Sequence, residues 1–209
     1  MRVLVSHEFS GVIRRAFRAR GCEAYSCDLL PSMDNSPYHL QCDFRTILHY
    51  EWDIAIFHPV CRYLCVSGIS WNDYRPERAK LTAQAIKDFM ACWNHGQVYR
   101  ICIENPISIM STEFRKPDQI IKPWQFGHPE NKKTCLWVRG LPLLQETNNV
   151  YDYMMTLPVK ERDRIHHEQP GIKNGLTREQ RRSITYTGIA DAMADQWLAA
   201  YLSGWKGDY

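Results

Sequence analysis

The first 28 residues constrain the fold most. Met1–Ser6 (MRVLVS) is a short apolar run rich in β-formers, and it breaks at His7-Glu8-Phe9-Ser10-Gly11. Val12 to Ala19 then carries Val12, Ile13, Ala16 and Phe17 at helical spacing, with arginines between them. Gly21 ends this helix, Cys22–Cys27 forms a second strand, and Asp28 follows it. Strand, glycine turn, helix, strand and acid is the opening βαβ unit of a nucleotide-binding α/β fold. Asp28 lies 17 residues beyond Gly11, about where an acid meets ribose hydroxyls in such folds.

The alternation continues. Tyr38–Asp43 is a short segment ending in an acid, and Trp52–Phe57 is an apolar strand leading into His58-Pro59-Val60-Cys61. Pro76 to Asn94 keeps a 3.6-residue period through Ala79, Ile86, Phe89, Met90 and Trp93, with Pro76 at its start. Tyr99–Ile103 is a further buried strand, followed by Glu104-Asn105-Pro106. Strands alternating with helices imply a mostly parallel sheet, and ligands of such sheets sit at the carboxyl ends of the strands. Asp28, Asp43, Cys61 and Glu104 all fall at such ends.

Five of these stretches together, Phe9-Ser10-Gly11, Cys27-Asp28-Leu29, Cys42-Asp43, His58-Pro59-Val60-Cys61 and Glu104-Asn105-Pro106, resemble the cytosine-5 DNA methyltransferases, in particular their short phage-type members. Gly188-Ile189-Ala190 with Ala192-Met193-Ala194 is similar to the closing helix of that family. The resemblance implies a Rossmann-like class I methyltransferase fold, with a mostly parallel sheet and a small substrate-facing insertion. It implies S-adenosylmethionine as cofactor, held by Phe9, Ser10, Gly11, Asp28, Leu29, Asp43, Phe44 and His58, with Phe9 on adenine and Asp43 at its amino group. It implies Cys61 as nucleophile toward carbon 6 of cytosine and Glu104 as the acid beside ring nitrogen 3, with Asn105 and Pro106 fixing the loop.

The chain departs from the family pattern in three places. Val60 stands where the family has proline before the cysteine, Val12-Ile13-Arg14 replaces a glycine run, and the region left for target recognition is short. The expected division is therefore 1–110 as cofactor-binding and catalytic core, 111–182 as a small recognition insertion, and 183–209 as a helix returning to the core. Ser111–Asn149, with a short strand at Thr134–Val138, reads as a substrate-facing insertion or a few antiparallel strands; Trp124, Phe126 and Trp137 are candidates for stacking on a base or for a packed aromatic mini-core. Asn105, Trp124, His128, Lys132, Lys133, Arg181 and Arg182 are the expected substrate-binding residues, with the cations on phosphates.

A formal net charge of +3 permits nucleic acid as partner without arguing for it. DNA is the expected partner, because of the resemblance. The short recognition region leaves RNA or a free nucleotide as an alternative target, and Val60 leaves a catalytically inactive DNA-binding or decoy protein. The eight cysteines are not spaced as zinc pairs, so no metal is expected. No apolar run reaches the ~20 residues of a membrane span and no signal peptide is apparent, so the expected location is the cytoplasm.

Overall fold

The structure is a computed structural model and describes residues 1–207. Seven strands, β1 (Arg2–Ser6), β2 (Glu23–Asp28), β3 (His39–Gln41), β4 (Ile54–Phe57), β5 (Arg100–Asn105), β6 (Gln119–Ile121) and β7 (Thr134–Arg139), form one sheet in the order 3-2-1-4-5-7-6. β1 pairs in parallel with both β2 and β4, and β4 with β5. β7 runs antiparallel between β5 and β6. The first five strands follow the doubly wound order of dinucleotide-binding folds, whose sixth strand would sit beside the fifth. The antiparallel β7 inserted there separates this sheet from that all-parallel pattern.

Among the described residues eight α-helices cover the sheet and its edges: α1 (Val12–Ala19), α2 (Pro76–Trp93), α3 (Met110–Glu113), α4 (Tyr151–Thr156), α5 (Val159–Arg162), α6 (Arg164–His167), α7 (Arg178–Ser183) and α8 (Thr187–Leu202). Because strand side chains alternate faces, β1 sends Val3 and Val5 to one side and Leu4 to the other. On the first side Ile13 and Phe17 of α1 meet Ile189, Met193 and Trp197 of α8, spaced four residues apart along one helix face. On the second side Ala85, Phe89 and Cys92 of α2 pack on Leu4, Ala55, Ile101 and Trp137. Arg20 binds Asp191 and Asp195, which clamps the end of α1 to α8.

The helices α1 and α8 coincide with the periodicity of the sequence, as α2 does to within a residue. Of the two readings of residues 111–149, the structure shows the antiparallel strands, and the strand expected at Thr134–Val138 is present. Thr134–Arg139 is a strand of the central sheet rather than of a separate substrate-facing unit, and β6 flanks it. Its apolar run is buried on both faces, as befits a strand lying inside a sheet covered on both sides. Trp137 is fully buried with its indole N–H on the Arg115 carbonyl at 2.8 Å, and Phe126 is also in the core. Neither ring is free to stack on a base. Among the described residues, no helix is long and apolar enough to cross a membrane.

Candidate active site

Loops leaving the carboxyl ends of β1, β2, β4 and β5 converge on one edge of the sheet. β1 ends at His7, whose backbone is left-handed (φ 59°), a conformation that costs a residue other than glycine. Gly11 repeats the left-handed turn (φ 67°) and starts α1; a Cβ there would lie 2.3 Å from the Arg14 guanidinium, so glycine is required. The helix N-terminus is filled by the protein's own carboxylate. Glu8 is buried and accepts from the Ile13 and Arg14 N–H groups at 2.7 and 3.3 Å. Burial pushes its carboxyl up to about 7, against the opposing pull of those hydrogen bonds.

Asp28 closes β2 and accepts from the Leu30 N–H at 2.9 Å. Burial raises its carboxyl above the usual range. No ion pair engages it among the described residues, so acceptor capacity remains. Leu29 beside it is 71% exposed, whereas Phe9, Ser10 and Phe44 are buried. The loop after Asp28 folds back over this edge, with the Met33 N–H on the Phe9 carbonyl at 3.0 Å and Asp34 paired to both Arg14 and Arg15. Asp43 caps the turn Phe44–Thr46 and is gripped by the Arg45 guanidinium, so donors of its own chain already occupy its carboxylate.

β4 and β5 supply the reactive pair. Phe57 lies in register with Ile103, so the loop His58–Cys61 and Glu104 leave the sheet side by side. Asn105 is fully buried and its Nδ2 donates to the Pro59 carbonyl at 3.0 Å. The Ile109 N–H donates to the Leu64 carbonyl at 2.9 Å, and Cys65 bridges to Ser108, so the loop after β5 holds the loop after β4 at three points. Val60 faces outward, 53% exposed. Cys61 therefore keeps a defined place although the residue before it is not proline.

The electrostatics of this pair of loops are asymmetric. The neighbouring Cys65, then burial, and to a lesser degree the Glu104 carboxylate raise the Cys61 thiol. The Cys61 thiol one turn away pulls the Cys65 thiol down to about 7, against its burial and with lesser help from the charges of Arg182, Lys132 and Arg78. Burial lowers the His58 imidazole below its ordinary value, against the opposing charge of Glu104. Its Nδ1 lies 3.3 Å from the Ser6 carbonyl, which accepts only, so the proton belongs on Nδ1 and Nε2 is an acceptor. Buried side-chain polar atoms without a partner concentrate here: His58 Nε2, Asn105 Oδ1, Ser108 Oγ and Arg182 Nε. In proteins such atoms are rare and mark strained or catalytic places.

The structure gathers Cys61, Glu104, Asn105, His58, Lys132 and Arg182 at this edge. It turns Lys132 inward, with Nζ on the Arg182 carbonyl at 3.1 Å, and leaves Lys133 exposed. The remaining expected substrate residues have other partners. His128 Nε2 accepts from the Gly188 N–H at 3.0 Å and so fixes the start of α8. Arg181 is a strut of the 168–176 loop, bound to Glu168 and to the carbonyls of Gln169, Gly171 and Leu176. Trp124 packs edge-on against Tyr151 with centroids 5.1 Å apart. Two residues escaped the sequence reading, Glu8 and Cys65. The signal for Glu8 was an acid shortly before a helix start, and for Cys65 a second cysteine one turn after the first.

A sheet of this order with strand-end loops of this kind defines the Rossmann-like methyltransferase fold. The chain is similar to the solved structure of the Entamoeba histolytica methyltransferase EhMeth, at 16% identity and a TM-score of 0.50, over 71% of this chain and 57% of that one. Two other solved structures are less similar in TM-score. A protein described as a DNA modification methyltransferase encoded within an E. coli prophage gives 14% identity, 76% and 56% coverage and a TM-score of 0.44. A DNMT2 variant of Spodoptera frugiperda gives 16% identity, 71% and 54% coverage and a TM-score of 0.40. The aligned region spans a little over half the length of each of these chains. No protein-family model matches the sequence, and no curated protein does.

Proposed function

We propose that the chain transfers a methyl group from S-adenosylmethionine to carbon 5 of cytosine in DNA. The observation that carries this reading is the placing of Cys61 and Glu104 at the ends of adjacent parallel strands, with Asn105 tying the two loops together. A thiol beside an acid is what cytosine requires. Its carbon 5 becomes nucleophilic only after sulfur adds to carbon 6, and an acid at ring nitrogen 3 favours that addition.

The cofactor edge fits a nucleoside without phosphates. In dinucleotide folds the first helix N-terminus binds pyrophosphate. Here Glu8 takes those N–H groups, and a second anion in the same place would face a carboxylate. Asp28 retains acceptor capacity for ribose hydroxyls, and exposed Leu29 offers an apolar surface for a base. Bound there, the cofactor supplies an electrophilic methyl group. Phe9 and Phe44 shape the pocket from within the core rather than by an open ring face.

In the reaction so read, the Cys61 S–H bond breaks, its proton leaving to solvent, and the sulfur bonds to carbon 6 while Glu104 holds the proton at nitrogen 3. The electron pair then at carbon 5 takes the methyl group. Loss of the carbon 5 proton and breaking of the sulfur–carbon bond restore the aromatic ring and Cys61. Asn105 keeps the Cys61 loop in register throughout.

The test is transfer of tritiated methyl from labelled cofactor to duplex DNA, single-stranded DNA, RNA and dCMP. Transfer to DNA at carbon 5, lost in Cys61→Ser with cofactor binding retained, is the expected result. Transfer that survives in Cys61→Ala would overturn the thiol mechanism. Transfer to RNA or dCMP alone would move the activity to another pyrimidine.

A further inference from the structure

We propose that His39 is a positioning residue for the cofactor, fixing through the Leu30 carbonyl the turn from which Asp28 meets the ribose. The role deepens the function proposed above and rests on its cofactor site. β3 has three residues and lies at the sheet edge, yet two of its side chains hold the loop after β2. His39 Nε2 lies 2.9 Å from the Leu30 carbonyl, and Gln41 Nε2 donates to the Leu29 carbonyl at 3.1 Å. Asp28 takes the Leu30 N–H at 2.9 Å. Leu30 is thus held at both ends, its N–H by the acid and its carbonyl by the imidazole.

The hydrogen bonds behind His39 have a fixed direction. A carbonyl only accepts, so the ring proton that meets Leu30 sits on Nε2, and Nδ1 is an acceptor. Nδ1 lies 2.9 Å from Ser26 Oγ, whose hydroxyl therefore donates to it. Ser26 Oγ accepts in turn from the Arg14 guanidinium at 3.2 Å. Hydrogens run one way, from Arg14 to Ser26 to His39 to Leu30, and every donor ends on an acceptor. Ser26 and Arg14 are both fully buried, a depth at which an arginine is costly unless it is bound. The second arm of Arg14 pairs with Asp34, at the far end of the same loop.

One buried side chain, three residues after Gly11, thus sets both ends of the 29–34 loop against the glycine turn. Core packing does not call for this. Leu29, Leu30 and Met33 are all exposed, so the loop brings none of its large apolar side chains into the core. What the network fixes is the direction of Asp28, whose carboxylate makes no hydrogen bond among the described residues except the one to Leu30. A carboxylate aimed before the ligand arrives spends less of its binding energy on being ordered.

The experiment titrates S-adenosylmethionine by calorimetry into wild type, His39→Gln, His39→Asn, Asp28→Ala and the double variant of His39→Asn with Asp28→Ala. Thermal unfolding is measured on each. A glutamine amide takes the place of Nε2 and still donates to Leu30, whereas an asparagine amide reaches only the place of Nδ1. His39→Asn should weaken the cofactor about tenfold, and His39→Gln should stay within about twofold of wild type. With Asp28 already alanine, His39→Asn should have no further effect, because its effect runs through that carboxylate. Wild-type affinity in His39→Asn overturns the role. So does a loss as large without Asp28 as with it, which a merely structural contact would give. So does His39→Gln binding as weakly as His39→Asn. Should His39→Asn fail to fold, Ser26→Ala carries the test: it frees Nδ1 and should weaken the cofactor severalfold, and wild-type affinity there overturns the role. A wild-type protein that does not bind S-adenosylmethionine overturns the function and the role together. One that binds it and methylates no nucleic acid or nucleotide overturns the function alone, and the titrations still decide the role of His39.

Discussion

Asn105 holds Pro59: its side-chain amide donates to that carbonyl at 3.0 Å across the boundary between β5 and β4, two residues before Cys61. The contact substitutes for rigidity that a second proline in the loop would provide. Asn105→Ala removes a buried hydrogen bond and leaves the Pro59 carbonyl unpaired, a loss of about 1–3 kcal/mol of stability. Methyl transfer should fall by more than cofactor affinity does, because the reactive loop is displaced and the cofactor edge is not. Chemical denaturation and single-turnover transfer check the two parts separately.

Glu8 makes stability depend on pH in an unusual direction for a carboxylate. Its folded value, about 7, lies above its ordinary value, so the folded protein binds this proton more tightly than the unfolded chain. The associated stability is fully present below about 4.5 and is lost as pH rises toward 7, up to about 3 kcal/mol in all. Glu8→Gln keeps an acceptor for the helix N–H groups and removes the titration. Its stability should vary less with pH over that window than wild type. An identical pH slope in thermal or urea unfolding would count against a buried, titrating Glu8.

Asp28→Ala should weaken S-adenosylmethionine or its demethylated product by about 1–3 kcal/mol in calorimetry, as for loss of a half-buried partner to hydroxyl donors. Folding should change little, because the only hydrogen bond lost within the chain is the local one to Leu30. Affinity equal to wild type would place the cofactor elsewhere.

Gly188→Ala tests the close approach of α8 to the loop before β7. A Cβ at Gly188 would lie 1.9 Å from the Phe126 carbonyl oxygen, which is backbone and cannot swing aside. The substitution should cost about 1–3 kcal/mol by overpacking. A thermal midpoint unchanged from wild type would contradict the packing described.

Much of the core was legible because it rests on periodicity. Ile189, Met193 and Trp197 repeat at four-residue spacing, and Val3, Leu4 and Val5 sit in a run that only a buried strand tolerates. The position of β7 was not legible. A six-residue apolar strand carries no mark of which neighbour it pairs with or in which direction. The substrate residues were harder still. Nothing in the composition of Lys132-Lys133 separates the lysine that turns toward Arg182 from the one left in solvent. Arg181 and Arg182 are likewise adjacent, yet one is consumed by Glu168 while the other makes no ion pair among the described residues. Local sequence proposes cations; only tertiary packing decides which remain free.

The clamp between Arg20 and the aspartates of α8 joins segments about 170 residues apart in the chain. Ile13 and Phe17 of α1 have α8 as their covering layer. Until α8 has been made, the unit of β1, its turn and α1 has an apolar face and nothing to cover it. Its contacts are among the most distant in sequence that the fold makes, and such contacts form late and slowly. The sheet edge carrying Gly11 is thus completed only once α8 docks, and a nascent chain stalled before residue 187 would present that apolar face to chaperones.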